Sequence, residues 1–589
     1  MSVLSTLRRL MAEHKLAAYV IPATDPHISE YLPAHWRILE WASGFTGSAG
    51  TLVVTHDFAG LWTDSRYFVQ AEVQLAGSGV QLMKLLTPHT PEFIDWLSLT
   101  LPAGATVGTD GNLISRRWYR LMEKGLVAHG IQLNPNVDLV EAAWTNRPAL
   151  PLDPVYEHPA KFAGQHCKEK LTQIRTALQD KGLDYTVFST LDDIAWTFNL
   201  RGTDVPYNPL FVSHAVIGEK SAVLFVDERK IPDAIRQSLK KSGVQVLPYE
   251  QIRYYLAKLP KNARVLIDPV RISQNLPGAL PSETELVEGV NITTLLKACK
   301  TPKEIEHLRR TMIKDGVALT KFFFWLDQTI GKERVTERSA EDKLHALRKA
   351  QADCVGESFG AIAAYRDHAA LPHYKSTPES DVELQREGLF LLDSGGQYLG
   401  GTTDTTRVIS LGNITAEERR DYTLVLKGMI ALCNLRFPKG TRGFQLDALA
   451  RAPLWQHGIN FGHGTGHGVG YFLNVHEGPQ SISPNPGADT PFMPGMVTSV
   501  EPGIYRPGKH GVRLENLVLC VQAEETEFGE FLRFESLTLA PLFTNLVDKS
   551  LLNPEERRWL RDYNRLVLRK IGRFLSPVEK EWLKKGMGE

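Results

Sequence analysis

Four carboxylates and one imidazole in the last third of the chain are of types that could together hold divalent metal ions. They are Asp393, Asp404, His467, Glu501 and Glu515. Burying four carboxylates close together is disfavoured by desolvation and mutual repulsion, and cations remove that penalty. Two divalent ions would balance the four negative charges. Oxygen-rich ligation with a single imidazole and no thiolate suits Mn, Co or Zn ions. It is less suited to a structural Zn site, which favours Cys and His, and it does not fix the identity of the metal.

The four carboxylates accompany apolar, strand-like segments. Asp393 ends the run GLFLLD, and Asp404 follows in GGTTDTTRVIS after the turn-forming stretch SGGQYLGG. This pattern predicts two buried strands joined by a hairpin-like turn. Glu501 in MVTSVEP and Glu515 in GVRLENLVLCV are likewise separated by a turn, GIYRPGKHG. We therefore expect all four carboxylates to emerge from core-facing strands.

His467 lies in the glycine-rich segment FGHGTGHGVG. Glycines permit close backbone approach, so such a loop leaves room for imidazoles to converge on one point. Taken singly, each acid could be an ordinary ion-pair partner and the histidine a structural loop residue. The metal-site interpretation depends on the whole set.

The segments around these residues resemble the metal-site segments of the pita-bread metallopeptidases. They are LLDSGGQY, GGTTDTTR, GHGTGHGVG, NVHEGP, SVEPGIY and GVRLENLVLC. Within that superfamily the chain is most similar to the aminopeptidase P, or Xaa-Pro aminopeptidase, family in its long three-domain form. The resemblance extends across nearly the whole chain, with no departure at the five ligand positions.

The resemblance implies a role for each ligand. Asp404 and Glu515 would bridge two metal ions, Asp393 would chelate one ion, and His467 with Glu501 would complete the other. Mn is the expected metal, with Zn or Co as alternatives. A hydroxide shared by the two ions would attack the bond between the N-terminal residue and a proline in second position. Glu501 would also shuttle a proton to the leaving amine.

Further residues are implied for the substrate cleft. His373 in ALPHY and His463 would hydrogen-bond the substrate or the tetrahedral oxyanion, and His476 in NVHEGP would contact the carbonyl side beyond the scissile bond. Arg513, expected two residues before Glu515 on the same strand face, would hold a ligand carboxylate. A pocket for the pyrrolidine ring with no backbone acceptor would select the X-Pro bond, because that tertiary amide lacks an N–H.

Composition excludes several classes of function. The 589 residues carry no formal net charge, which gives no electrostatic footprint for nucleic acid or an anionic membrane. The five cysteines are scattered and odd in number, which argues against a disulfide framework. No segment has the length or apolar character of a membrane span or a signal peptide, so we expect a cytoplasmic protein. The family resemblance implies a homodimer acting on peptides.

Length and element patterns predict three domains. The fold class is mixed α/β and α+β. The resemblance implies two creatinase-like N-terminal α/β domains, residues 1–155 and 156–298, followed by a pita-bread catalytic domain, residues 299–589, with a helical extension from about residue 536. The first two domains share an order of helix, strand, helix and strands, which indicates related folds. Thr301, Pro302 and Glu304 predict a capped helix start, and a break near Ser576 and Pro577 divides the C-terminal helices.

Other functions within and outside this superfamily stay open at this point. A methionine aminopeptidase would generally lack the two preceding domains, and a prolidase would cleave only dipeptides. A catalytically dead pita-bread domain acting as a binding module would usually lose metal ligands. An amidinohydrolase resembling creatinase would not be expected to keep the metal set.

Overall fold

The computed structural model describes residues 2–87 and 90–588. The chain divides into two compact units. The first comprises Met1–Ala160 and Gln165–Thr294, and the second comprises Lys161–Gly164 and Leu295–Glu589. The predicted boundaries after residues 155 and 298 stay a prediction. Among the described residues, no helix is both long enough and apolar enough to cross a bilayer.

The first unit contains two six-stranded sheets. Strands of the first sheet are β1 (Ala18–Pro22), β2 (Thr51–Thr55), β3 (Ala59–Thr63), β4 (Gln81–Lys84), β5 (Thr106–Thr109) and β6 (Gln132–Asn134). The accompanying helices are α1 (Val3–Glu13), α2 (Ile38–Ser43), α3 (Phe68–Gln74), α4 (Glu92–Thr100), α5 (Arg116–Val127) and α6 (Val140–Ala143). The strand order is β4-β3-β2-β1-β5-β6. Helix α1 is amphipathic, with four buried apolar residues on one face.

The next stretch of chain builds the second sheet. Its strands, with a short outlying pair, are β7 (Tyr156–Glu157), β8 (Tyr185–Phe188), β9 (Leu200–Arg201), β10 (Ser213–Gly218), β11 (Ala222–Val226), β12 (Gln245–Leu247), β13 (Arg264–Ile267) and β14 (Glu285–Glu288). The helices are α7 (Ala160–Ala163), α8 (Cys167–Asp180), α9 (Leu191–Phe198), α10 (Asp233–Lys241), α11 (Ile252–Leu256) and α12 (Ile292–Ala298). The sheet order is β12-β11-β10-β8-β13-β14.

The two sheets share one topology. In each, the first long strand is antiparallel to its neighbour on one side and parallel to its neighbour on the other. The remaining pairs also match: one further antiparallel pair and two parallel outer pairs. The expectation of two related folds is therefore confirmed by strand order and direction.

The second unit is an α+β domain with an extensive apolar core. Its strands are β15 (Cys354–Glu357), β16 (Ile362–Tyr365), β17 (Leu389–Ser394), β18 (Gly396–Tyr398), β19 (Gly401–Thr402), β20 (Thr405–Ser410), β21 (Arg436–Pro438), β22 (Gly466–His467), β23 (Ser481–Ile482), β24 (Val497–Val500), β25 (Gly503–Arg506), β26 (His510–Arg513), β27 (Asn516–Thr526) and β28 (Gly529–Ser536). Its helices are α13 (Pro302–Thr329), α14 (Glu337–Lys349), α15 (Ala416–Cys433), α16 (Gly443–Trp455), α17 (Pro554–Ile571) and α18 (Pro577–Met587).

Local capping sets the helix starts of this unit. The Thr301 hydroxyl accepts a hydrogen bond of 3.3 Å from the Glu304 amide, and the Glu304 carboxylate accepts one of 2.8 Å from the Thr301 amide. This reciprocal capping box begins α13 where the sequence predicts it. Ser576 caps α18 in the same way, with Pro577 at the first helical position. Both predicted features are confirmed.

Candidate metal centre

Asp393 and Asp404 come from neighbouring strands of one sheet. Asp393 lies in β17 and pairs with Thr406 of β20 on one side and with Ile362 of β16 on the other. Asp404 immediately precedes β20. The predicted pair of buried strands with a hairpin between them is confirmed, because β17 and β20 pair antiparallel. The connection is longer than a turn: it forms the antiparallel strands β18 and β19, and β18 also pairs with β15 in a separate small sheet. Both carboxylates are buried.

Glu501 and Glu515 face each other across a second strand pair. Glu501 follows β24, and Glu515 precedes β27, whose first residue, Asn516, pairs with Val500. The segment between the two acids is a β-hairpin, β25 and β26, and not the simple turn that the sequence predicts. Of the four carboxylates only Asp393 lies inside a strand. The expectation that all four emerge from strands is therefore corrected: the other three carboxylates lie immediately before or after a strand.

His467 ends the short strand β22. Its Nε2 lies 3.4 Å from Oδ2 of Asp404 and 3.4 Å from Oε1 of Glu501. One ligand atom each from Asp404, His467 and Glu515 lie within 4.8 Å of one another. The neighbouring Gly466 permits this approach, because a Cβ there would lie 1.9 Å from the Ser499 carbonyl oxygen.

The electrostatics of the site reflect crowded acids. Burial, together with the charges of the neighbouring carboxylates, raises the pKa of Glu515 well above its usual range. Burial likewise raises the pKa of Asp393 and of Glu501. Burial alone would lower the pKa of His467, but the Asp404 and Glu501 carboxylates raise it to about 9. Without cations the site thus favours protons on its ligands.

These residues fit a pair of divalent cations. Within the described part of the chain, Oδ1 of Asp393 is buried and accepts no hydrogen bond. A buried carboxylate oxygen without a donor is a ligand position that a cation satisfies. Oxygen donors with one imidazole suit Mn, Co and Zn alike.

Arg513 ends β26 and reaches Asp393. Its Nη2 donates a hydrogen bond of 2.6 Å to Oδ2 of Asp393. The expectation that Arg513 and Glu515 share a strand face is wrong, since the strand ends between them. The contact that the sequence predicted for Arg513, with a ligand carboxylate, is nonetheless present.

Tyr505 links Arg513 to His463, and sequence reasoning missed it. Nη1 of Arg513 donates to the Tyr505 hydroxyl at 2.8 Å, and that hydroxyl lies 2.8 Å from Nε2 of His463. The hydroxyl oxygen accepts from Arg513, and Nδ1 of His463 lies 2.7 Å from the Gly464 carbonyl oxygen, so the hydroxyl donates to Nε2 of His463. Burial raises the pKa of Tyr505 to about 12. The available signal was its place in SVEPGIY, four residues after Glu501.

Two hydroxyl residues hydrogen-bond to the candidate ligands and carried no distinctive sequence signal. The Thr406 hydroxyl donates to Oε2 of Glu515 at 2.9 Å. The Ser499 hydroxyl donates to Oε1 of Glu501 at 3.2 Å and accepts from the His467 amide at 2.9 Å. Such partners fix ligand orientation beneath a metal site.

The remaining predicted histidines lie in two further loops. The His476 ring packs edge-on against His467, with centroids 4.3 Å apart at 78°. Beside it the buried Glu477 carboxylate lies 3.3 Å from Lys297 and 3.2 Å from Lys300, which anchors this loop. His373 is half-buried in the turn that follows the 3-10 helix Arg366–Ala370.

Four family models match consecutive stretches of the chain. Two models described as creatinase/prolidase N-terminal domain match residues 4–142 and 146–304. Metallopeptidase family M24 matches residues 306–522, and the C-terminal region of peptidase M24 matches residues 530–587. The expected architecture of creatinase-like domains followed by a pita-bread domain is confirmed.

Curated relatives match at full length. A probable Xaa-Pro aminopeptidase P of Pyricularia oryzae is 39% identical over 99% of this chain and 98% of its own length. One from Neurospora crassa is 40% identical over 98% of this chain and 88% of its own. The match to the Xaa-Pro dipeptidase of Bacillus anthracis is less extensive: that structure is 25% identical, covers 64% of this chain and 98% of its own, and has a TM-score of 0.50.

Among solved structures, the X-prolyl aminopeptidase of Caenorhabditis elegans is described as a cytosolic enzyme with a di-nuclear active site. It superposes with a TM-score of 0.94 at 36% identity and covers 99% of both chains. Together with the domain matches, this confirms the family expected from the site segments. The chain belongs to metallopeptidase family M24 and, within it, to the Xaa-Pro aminopeptidase P family.

Proposed function

We propose that the chain is a metal-dependent aminopeptidase that removes the N-terminal residue from peptides with proline in second position. The observation that carries the proposal is the convergence of Asp404, His467 and Glu515 within 4.8 Å, with Asp393 and Glu501 beside them. The names of the full-length relatives support the specificity for X-Pro peptides.

In this proposal Asp404 and Glu515 would hold both ions, Asp393 would hold one, and His467 with Glu501 would hold the other. Nε2 of His467 lies 3.4 Å from a carboxylate oxygen of Asp404 and 3.4 Å from one of Glu501, which supports the assignment of these three residues to one ion. When bound, two divalent ions lower the pKa of a water molecule and polarise a scissile carbonyl. Mn is the metal we propose, with Zn and Co as the alternatives to be compared.

The protein's own groups hold and move protons. Glu501 lies half-buried beside His467, and its desolvation raises the pKa of its carboxyl group, which suits a group that accepts a proton and passes it to the leaving proline nitrogen. Arg513 keeps Asp393 oriented through its 2.6 Å hydrogen bond. Oriented ligands need no reorganisation during the reaction.

The histidines on the substrate side bind and orient the peptide substrate. Nε2 of His463 accepts a hydrogen bond from the Tyr505 hydroxyl, and its Nδ1 lies 2.7 Å from the Gly464 carbonyl oxygen. Through Tyr505, this arrangement joins Arg513 to the substrate cleft. We assign His463 and His373 to the substrate or oxyanion and His476 to the far side of the scissile carbonyl.

Hydrolysis of Arg-Pro-Pro by metal-stripped protein, with and without added Mn, tests the proposal. Release of arginine only after Mn is restored, with Met-Ala-Ser left intact, is the expected result. Cleavage of the dipeptide Arg-Pro but not of Arg-Pro-Pro would favour a prolidase instead. No cleavage with Mn, Zn or Co would favour a binding module.

We also propose a cytoplasmic homodimer. The C. elegans neighbour is described as cytosolic, which supports the location. Helix α16 supports self-association, because its large apolar residues Phe444, Leu449 and Trp455 are 41%, 39% and 51% exposed. Exposed apolar side chains on one helix are typical of a surface that another protein covers.

A further inference from the structure

A buried carboxylate organises the segment that carries His373. Glu337, the first residue of α14, is fully buried, and its Oε1 and Oε2 lie 2.9 and 3.1 Å from Nδ1 of His368. Its Oε2 also accepts from the Tyr374 hydroxyl at 2.8 Å, and its Oε1 accepts from the Tyr365 amide at 2.7 Å. Glu337 thereby joins the beginning and the end of the segment 365–374.

The rings above this carboxylate reinforce the arrangement. His368 and Tyr374 stack with centroids 4.5 Å apart and an interplanar angle of 26°. The Tyr374 hydroxyl also contacts the Ser380 hydroxyl at 3.1 Å. Since Tyr374 directly follows His373, fixing its ring and hydroxyl restricts the backbone of the adjacent histidine.

The same segment packs directly against the metal-centre framework. A Cβ at Gly511 of β26 would lie 1.7 Å from the Ala369 carbonyl oxygen, so the 3-10 helix and β26 are in backbone contact. Two residues further on, Arg513 binds Asp393. On the other side, β16, which leads into Tyr365, begins at Ile362, the strand partner of Asp393. The segment 365–374 is thus tied to Asp393 through both neighbours.

We propose that Glu337 and His368 are positioning residues that hold the turn bearing His373 against the metal centre and so set substrate binding. This inference rests on the proposed function, because it assigns His373 to the substrate. Neither Glu337 nor His368 needs to touch the substrate. Their effect passes through Tyr374 and the turn.

The protonation of His368 gives this role a distinctive signature. The Glu337 carboxylate raises the pKa of His368, against the opposing effect of burial. The charged pair is therefore complete at low pH and weakens as pH rises through the raised pKa. The other facing groups are Tyr374 and, on the 3-10 helix itself, Asp367. On the hairpin packed against that helix, Arg506 and His510 are both engaged by Asp421.

A double-mutant cycle with His368→Ala and His373→Ala tests the proposal in full-length, Mn-loaded protein cleaving Arg-Pro-Pro. We expect His368→Ala alone to raise KM roughly tenfold, the effect of losing a charged hydrogen bond, with kcat changed much less. In the His373→Ala background the same change should have little effect, because the turn no longer carries a group to position.

A pH series adds a second measurement. KM of the wild type should rise as pH passes through the pKa of His368, and His368→Gln, which cannot titrate there, should remove that inflection. His345→Gln is the matched control, because His345 lies on α14, the helix that begins at Glu337, is more exposed than His368, and has Nδ1 3.7 Å from Oε1 of Glu357. It should leave both KM and the inflection unchanged.

The outcomes separate the two proposals. Additive effects of the two alanine variants, or an inflection that persists in His368→Gln, would overturn the positioning role while wild-type cleavage upholds the peptidase. If wild type does not cleave Arg-Pro-Pro, the proposed function fails and this inference with it. If His373→Ala turns over too slowly, the cycle is read from calorimetric binding of the product Pro-Pro, where additivity is equally decisive.

Discussion

Arg513 donates a hydrogen bond of 2.6 Å to Oδ2 of Asp393, across 120 residues of sequence. Both side chains are buried. Burial alone would lower the pKa of the Arg513 guanidinium, but Tyr505 and the Asp393 carboxylate raise it well above its usual range. The contact leaves Oδ1 of Asp393 without a hydrogen bond among the described residues, and so available to a cation.

Arg513→Met should therefore weaken metal binding. Loss of an outer partner of a metal ligand typically reduces affinity about 10- to 100-fold, because the ligand is no longer oriented. Calorimetric titration of metal-stripped protein with Mn would measure this. Lys509→Gln serves as the control, because Lys509 lies in the exposed turn of the same hairpin and pairs with Glu417 at 2.9 Å. Equal Mn affinity of Arg513→Met and wild type would contradict the role.

Added metal should stabilise the protein against heat. The raised pKa of Glu515 reflects burial and carboxylate repulsion, which cations relieve. At about 100 times its Kd, a ligand specific for the folded state adds about 2.7 kcal/mol to the free energy of unfolding. Scanning calorimetry of stripped protein with increasing Mn should show a rising Tm. A variant with Asp404→Asn and Glu515→Gln should lose this dependence, and a retained Tm shift would place the ions elsewhere.

Tyr505→Phe should lower kcat/KM for Arg-Pro-Pro about tenfold, as expected for loss of a hydrogen bond to a charged group. The hydroxyl accepts from Arg513 and donates to His463, so its removal uncouples the two. Steady-state kinetics measure the effect. Tyr563→Phe removes another buried hydroxyl, one that contacts Arg407 and the Ala540 carbonyl oxygen. It should cost stability and leave kcat/KM unchanged. Equal activity loss in both variants would indicate a general stability effect.

Asp421 should make stability depend on pH in the acid range. The carboxylate accepts from Arg506 and His510, and these partners overcome burial to lower its pKa to about 2. A lowered folded pKa contributes stability that is present above the unfolded value and is lost as pH falls towards 2. Asp421→Asn should lose about 3 kcal/mol of unfolding free energy at neutral pH.

Urea unfolding at pH 7 and at successively lower pH measures that difference. The gap between Asp421→Asn and wild type should narrow as the wild-type carboxylate becomes protonated. Asp562→Asn is a useful control, because Asp562 is an exposed acid on α17 whose Oδ1 lies 3.8 Å from Nε of the neighbouring Arg561. A gap that stays constant with pH would show that Asp421 acts through packing alone.

Charged residues on α16 should convert a dimer to a monomer. Leu449→Lys with Trp455→Lys places two charges on a surface where apolar side chains are 39% and 51% exposed. Sedimentation velocity should show a fall from dimer to monomer mass without loss of thermal stability, since neither residue is in the core. Phe528→Lys, at an apolar position between β27 and β28 that is 83% exposed, should not change the mass. If the variant with both Leu449→Lys and Trp455→Lys is still a dimer, the dimer interface lies on another face of the protein.

Several features followed from sequence because their causes are local. The start of α13 depends on Thr301, Pro302 and Glu304, all within one helical turn, so the capping box could be predicted from those residue types. The strand around Asp393 followed from its apolar run and the neighbouring turn formers. The candidate ligands could also be chosen from sequence, because placing four acids and a histidine close together in apolar or glycine-rich segments is costly without cations.

The tertiary structure alone decided how those candidate ligands are held. Nothing within a few residues of Asp393 indicates Arg513, and the path from Arg513 through Tyr505 to His463 joins three separate segments. The separate sheet formed by β18 and β19 escaped prediction because its partner, β15, lies well upstream. Glu337 likewise gains its role from Tyr374 and His368. Such contacts arise when packing brings distant segments together, so residue type and spacing determined which groups are available, and the fold determined which of them meet.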